Sequence, residues 1–172
     1  MIRNIQNIQD DIIKAKREIK NKLINDPDII EALHDPKLSP DEPDLYLQSH
    51  IYDYIRVPGT TSEKKNFVCF DIKQENTLQT NKYMKQNTYV FSIFVPEDDI
   101  VTNYGMARHD LLAYLIRDIF NFSNFAGTQL VLYQNNPGIA DAVWNSRTLY
   151  FREYAPNSPY KAVTTNRAEY GN

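Results

Sequence analysis

Apolar residues at Ile5, Ile8, Ile12, Ala15, Ile19 and Leu23 recur every three or four positions in an otherwise polar stretch. That is the spacing of one helical face. Lys14, Lys16, Arg17, Lys20 and Lys22 crowd the second half of the stretch, where cations complement the helix macrodipole. Asp26-Pro27 then resets the chain. An Asp N-cap followed by Pro at the first helical position predicts a short second helix through Ile29, Ile30 and Leu33. Residues 35–44 hold Pro36, Pro40 and Pro43 with Asp35, Asp41, Glu42 and Asp44, and read as a linker or ordered turn. Over 26–50, Lys37 is the only Lys or Arg against seven acids, the mark of a solvated acidic loop.

The period then changes to two. Ile51 to Val57 reads as a strand stopped by Pro58-Gly59, and Phe67 to Ile72 alternates, with Val68, Phe70 and Ile72 on one face and Phe67, Cys69 and Asp71 on the other. Tyr89 to Val95 is another strand, ended by Pro96. The polar stretch 76–87 between them suits a long hairpin arm better than a two-residue turn. Leu111, Leu112, Leu115, Ile116, Ile119 and Phe120 form a broad apolar stripe, with Arg108, Asp110 and Arg117 off it. It predicts a helix starting near 103–106, ending before Asn124 and facing the sheet. Leu111, Leu115 and Ile119 are expected in the core, with Leu115→Ala costing about 2–5 kcal/mol as a cavity. Gln129 to Tyr133 and Thr148 to Tyr154 predict two last strands, joined by residues 135–146; residues 157–172 are polar without period. The expected order is α-α-β-β-β-α-β-β. This is an α+β fold, an antiparallel sheet with the amphipathic helix packed on one face and the N-terminal helix beside it. One domain over 1–156 and a polar tail over 157–172 are expected.

Composition narrows the chemistry. A chain of 172 residues fits one domain with a core large enough to need no metal or disulfide staple. Cys69 is the single cysteine, which excludes an intrachain disulfide framework and suits a reducing compartment. No apolar run approaches the ~20 residues of a membrane span. The first twenty residues mix Ile with charge and have no apolar h-region of a secretory signal. A net charge of −3 argues against a general grip on nucleic acid. The five glycines are isolated and form no phosphate-cradling motif.

His34, His50 and His109 have no second His or Cys at zinc-site spacing. There is no GxSxG elbow, and Cys69 falls mid-strand, where burial makes a thiol inert. No catalytic, cofactor or metal residue is expected. One rival pattern is Asp71-Ile72-Lys73, with Pro43-Asp44 upstream, which resembles the acid-x-Lys element of Mg²⁺-dependent PD-(D/E)xK nucleases. Two carboxylates would hold the ion beside a lysine that orients water. A further rival is a small interaction domain whose acidic loop binds a basic partner.

The layout and a set of local phrases resemble tail terminator, tail-completion and head–tail joining (neck) proteins of long-tailed bacteriophages. The phrases are NDPDIIEALHDP, YIRVPGT leading into FVCFDI, YVFSIFVPEDD before RHDLLAYLIRDIF, GTQLVLYQNNPG and the closing RTLYFREY, covering about residues 12–156. The resemblance implies a structural virion protein, not an enzyme. It would act as a self-assembling ring, commonly hexameric, that caps the tail tube and meets neck or connector proteins. DNA would pass through its channel without specific binding, and assembly would take place in the bacterial host cytoplasm. The expected subunit contacts are Lys82, Tyr83 and Lys85 on the hairpin arm and Tyr160 in the tail, since aromatic-rich strands and arms serve ring contacts.

Overall fold

In the computed structural model, which describes residues 11–59, 64–75, 81, 83–124 and 128–156, the first apolar stripe from Ile12 onward lies on helix α1, Asp11–Ile24, while Ile5 and Ile8 lie outside the described residues. Ala15, Ile19 and Leu23 are its buried face. Helix α2, Pro27–Leu33, starts as its sequence requires: the Asp26 carboxylate accepts from the Asp28 and Ile29 amides. His34 ends it in the left-handed conformation. Strands β1 (Ile51–Tyr52), β2 (Phe67–Gln74) and β3 (Met84–Pro96) follow. Helix α3 (Arg108–Phe120) and strands β4 (Val131–Asp141) and β5 (Trp144–Pro156) complete the described chain. The strands lie in the order β1-β2-β3-β5-β4.

The fold is α+β. Alternation decides the faces. Val68, Phe70 and Ile72 of β2, Tyr89, Phe91, Ile93 and Val95 of β3, and Leu149 and Phe151 of β5 meet the helices in one buried cluster. Phe91 sits at its aromatic centre, with ring centroids 5.8 Å from Phe70, 4.9 Å from Phe120 and 5.6 Å from Phe151. On the opposite face a smaller cluster gathers Tyr52, Phe67, Cys69, Phe94 and Trp144. Burial pushes the Cys69 thiol above its ordinary value.

Several expectations need correction. The sheet is mixed, because β1 runs parallel to β2 while the other pairings are antiparallel. The strand expected over 51–57 stops after Tyr52. From Asp53 the chain turns off the sheet, Arg56 stacks on the Tyr52 ring at 4.8 Å, and Cys69 donates to the Arg56 carbonyl. The segment expected to join the last two strands is mostly β4 itself, closed by a two-residue turn at Ala142-Val143 with Asp141 opposite Trp144. Pro137 is tolerated because an edge strand needs no outward amide. Gly138 lies opposite Ser146, and a Cβ there would come within 2.9 Å of the Ser146 hydroxyl. Residues 84–87, expected in the hairpin arm, are paired within β3.

Helix α3 begins two residues later than expected and buries a different line. Leu112, Ala113, Ile116 and Phe120 face the core, while Leu111, Leu115 and Ile119 are only partly buried. Arg108 is buried as well. Its guanidinium donates to the carbonyls of Ala32 and Asp99 and to the Asp99 carboxylate, clamping the start of α3 to the end of α2. Leu115→Ala should therefore cost about 1–2 kcal/mol, the value of partial burial, and less than Leu112→Ala. Chemical denaturation of the two variants checks this.

The acidic stretch is not wholly solvated. His50 is buried beneath it, with one ring nitrogen 2.8 Å from the Asp35 carboxylate and the other 2.6 Å from the Asn66 carbonyl. Both partner atoms are hydrogen-bond acceptors. Burial alone would raise the Asp35 carboxyl. The Lys37 amide, the His50 hydrogen bond and the charges of His50 and Lys37 outweigh it and hold the carboxyl below its ordinary 3.8. At Asp53, burial is likewise outweighed by Lys20 and Gln48, and the carboxyl is lowered. A carboxyl depressed in the fold stabilises above its unfolded pKa, and the contribution is lost as pH falls through the folded value. The melting temperature should hold level above the carboxylate range and fall below it. Asp35→Asn should lower the plateau and flatten the acid limb. An acid limb identical to wild type would refute the role of Asp35.

Candidate functional site

The expected contact residues are not brought together by the described structure. Lys82 and Tyr160 lie outside the described residues. Tyr83 is 82% exposed, with its amide held by the Asn81 side chain. Lys85, on β3, reaches back to α1, 3.6 Å from the Asp11 carboxylate, and is largely covered. Of the rival residues, Asp71 and Lys73 are each ion-paired with another side chain. Asp71 is ion-paired with Lys16 at 2.5 Å, Lys73 lies 3.7 Å from Glu75, and Asp44 sits on a one-turn 3-10 helix over Pro43–Tyr46. Among the described residues no three His, Cys, Asp or Glu side chains are grouped to hold a metal ion. The histidines are engaged separately, His34 with Asp99, His50 with Asp35 and His109 with Asp110. Burial first, then the charge of Arg147, pushes His109 below its ordinary value against the pull of Asp110.

The most exposed regular element is β4. It pairs with β5 on one side and forms the edge of the sheet. Eleven residues make it roughly 36 Å long at 3.3 Å per residue. Its sequence, VLYQNNPGIAD, carries no charge before Asp141. None of its residues is buried, and Val131, Tyr133 and Ile139 are 40%, 39% and 77% exposed. A long edge without charged side chains offers its outward amides and carbonyls as a template for another strand, the exposure that monomeric proteins guard against.

The sequence also holds this edge in place. The Arg147 guanidinium on β5 donates to the Asn135 side chain at 2.7 Å and pairs with Asp110 on α3. At the other end the Asn121 side chain, just past α3, accepts from the Leu132 amide. On the face away from the helices, Arg152 stacks over the Tyr133 ring at 4.3 Å, with Tyr150 beside it.

Beneath the start of β4 is a buried carboxylate. Glu153 accepts from the Tyr89 hydroxyl at 2.6 Å, from the Asn87 amide, and from both the amide and hydroxyl of Thr128. Burial, then the Glu153 hydrogen bond and charge, push the Tyr89 phenol far above its ordinary value. Neutral donors satisfy the carboxylate, and the Thr128 hydroxyl shares its one proton between Glu153 and the Tyr154 carbonyl, so the cluster ties the approach to β4 onto β5. It is a positioning device for the edge.

At the opposite edge, the segment that leaves β1 exposes Tyr54 (46%), Ile55 (46%) and Val57 (68%). The two edges of one sheet thus present two apolar surfaces, one extended and hydrogen-bond-ready, one an irregular segment. The hydropathy pattern revealed neither. A run with a Pro-Gly pair reads as a loop, and an apolar YIRV reads as buried. The one available signal was the absence of charge from 129 to 140.

Residues 20–153 match a family model described as YomW. No curated protein matches the chain.

Proposed function

Because the chain belongs to the YomW family, a phage-derived gene family of Bacillus type, we propose that this phage-related protein is a structural subunit that assembles with itself into a ring at the tail end or neck of a tailed phage. There it caps the tail tube, joins it to the connector and lets DNA pass without binding it specifically. The observation that carries this proposal is the β4 edge, eleven residues long, uncharged before its last residue, and held rigidly from behind by Arg147 and Asn121. Strand addition to such an edge gains main-chain hydrogen bonds and places alternate side chains in the contact.

The two edges support a ring geometry. If β4 of one copy meets the Tyr54–Val57 segment of the next, the contact is head-to-tail, and head-to-tail contacts close into rings when the rotation allows. Part of the exposed apolar surface of β4 would then be covered by Tyr54, Ile55 and Val57. The net charge of −3 supports a DNA conduit, because a passage should not retain phosphates.

Native mass measurement with negative-stain imaging tests the proposal. We expect a closed particle of several copies with a central opening, six being the number implied by the phage resemblance. A chain that remains monomeric at tens of micromolar contradicts it.

A further inference from the structure

The stripe on α3 is wider than the sheet requires. Leu112, Ile116 and Phe120 fill the core, leaving Leu111 and Leu115 partly buried on the flank toward α2. Between the two helices lies a groove of about 220 Å³, lined by Ala32, Leu111 and Leu115 with Asp28, Glu31 and Tyr104. The Tyr104 hydroxyl donates to the Glu31 carboxylate at 2.5 Å. Both acids are exposed. The groove thus combines an apolar floor with a negative rim, which suits a short segment carrying an aromatic or aliphatic anchor beside a cation.

The sixteen residues after Pro156 supply that chemistry. They contain Tyr160-Lys161-Ala162-Val163 and Arg167, with Glu169 the only acid. Their starting point bears on which copy they serve. Asp110 at the start of α3 is level with Arg147 on β5, and Asn121 after its end is level with Leu132, which faces Phe151. The groove leucines therefore lie near the level of Leu149, seven residues before Pro156. That is roughly 23 Å along the strand, with the thickness of the helix layer still to climb. Tyr160 and Lys161, four and five residues beyond Pro156, reach at most about 18 Å. Reaching their own groove would take a fully extended chain and fully extended side chains, with the entropic cost of holding both so.

We propose that the groove between α2 and α3 receives Tyr160–Val163 from the C-terminal segment of a neighbouring copy, with the ring and valine on Leu111 and Leu115 and the Lys161 ammonium between Asp28 and Glu31. This rests on the self-assembly proposed above and adds a second contact, independent of the sheet edge. Each copy gives a segment at one end and takes one at the other, so the contact is head-to-tail, as a ring requires.

The test places benzoylphenylalanine at position 160 in the full chain and irradiates a mixture of isotope-labelled and unlabelled copies. Adducts between differently labelled chains, mapped to 28–32 or 104–115, are the expected result. Adducts within one chain, adducts on another surface, or no adduct would overturn the groove. Native mass on the same sample reads self-assembly separately. A ring whose probe marks another surface refutes the groove alone, whereas a monomer refutes the ring as well. In parallel, Lys161→Glu and Glu31→Lys should each raise the concentration for half assembly about tenfold, as rim charges do. Combining them should restore most of the loss. Failure of the pair to compensate would count against the contact.

Discussion

Replacing Phe91 with Ala should cost the fold about 3–5 kcal/mol, the range for deleting a fully buried ring. Phe91 is wholly buried and touches rings from three other elements, Phe70 on β2, Phe120 on α3 and Phe151 on β5. Collapse around the gap is restricted because two of these neighbours sit in paired strands and the third ends a helix clamped by Arg108 at its start. A loss of this size lowers the melting temperature by about 6–20 °C for a chain of this length. It should reduce assembly only through the unfolded fraction, so cooling should restore particles. Phe91→Leu, which keeps most of the volume, should cost much less. A melting temperature unchanged by Phe91→Ala would mean that the helices do not pack on this face of the sheet.

The second large effect is on assembly and should leave stability alone. Val131→Lys with Ile139→Lys puts two cations on the β4 edge, the means by which monomeric sheet proteins discourage strand addition. Both side chains are exposed at 40% and 77%, so little core burial is lost. Surface changes of this kind usually stay within about 0.5 kcal/mol. The double variant should sediment as a monomer at concentrations where the parent chain is fully assembled, with a melting temperature within a few degrees. If it still assembles, β4 is not the contact. If it loses assembly and also unfolds, single substitutions at the two positions separate the causes, because neither side chain supports the core alone.

Local signals were legible in the sequence, and tertiary ones were not. The described part of the α1 stripe, the Asp26 cap and the alternation of β2 are written in neighbouring residues, and each appears where the pattern places it. The stripe of α3 gave the helix but not its rotation. Six apolar positions cover more than one side, and which of them face the sheet depends on where Arg108 fastens the helix. Strand β4 was hidden by Pro137-Gly138, which break a central strand but not an edge, and by a turn at Ala142-Val143 without the Asn-Gly or Asp-Gly signature of two-residue hairpins. The His50–Asp35 pair spans fifteen residues and has no motif. The site followed the same division. The chain carries no catalytic signature, and its sequence directed attention to lysines and tyrosines in arms. The structure instead points to an uncharged strand, whose significance comes from being at an edge, a property of the whole sheet.

Hydrogen exchange at the β4 amides tests the edge assignment most directly. In assembled particles the amides of residues 134–140 that face away from β5 should exchange slowly. They should become fast when the same chain is made monomeric by Val131→Lys and Ile139→Lys, while β3 amides stay protected in both. Equal and fast exchange of those outward β4 amides in particle and monomer would show that the ring, if one forms, is held together elsewhere.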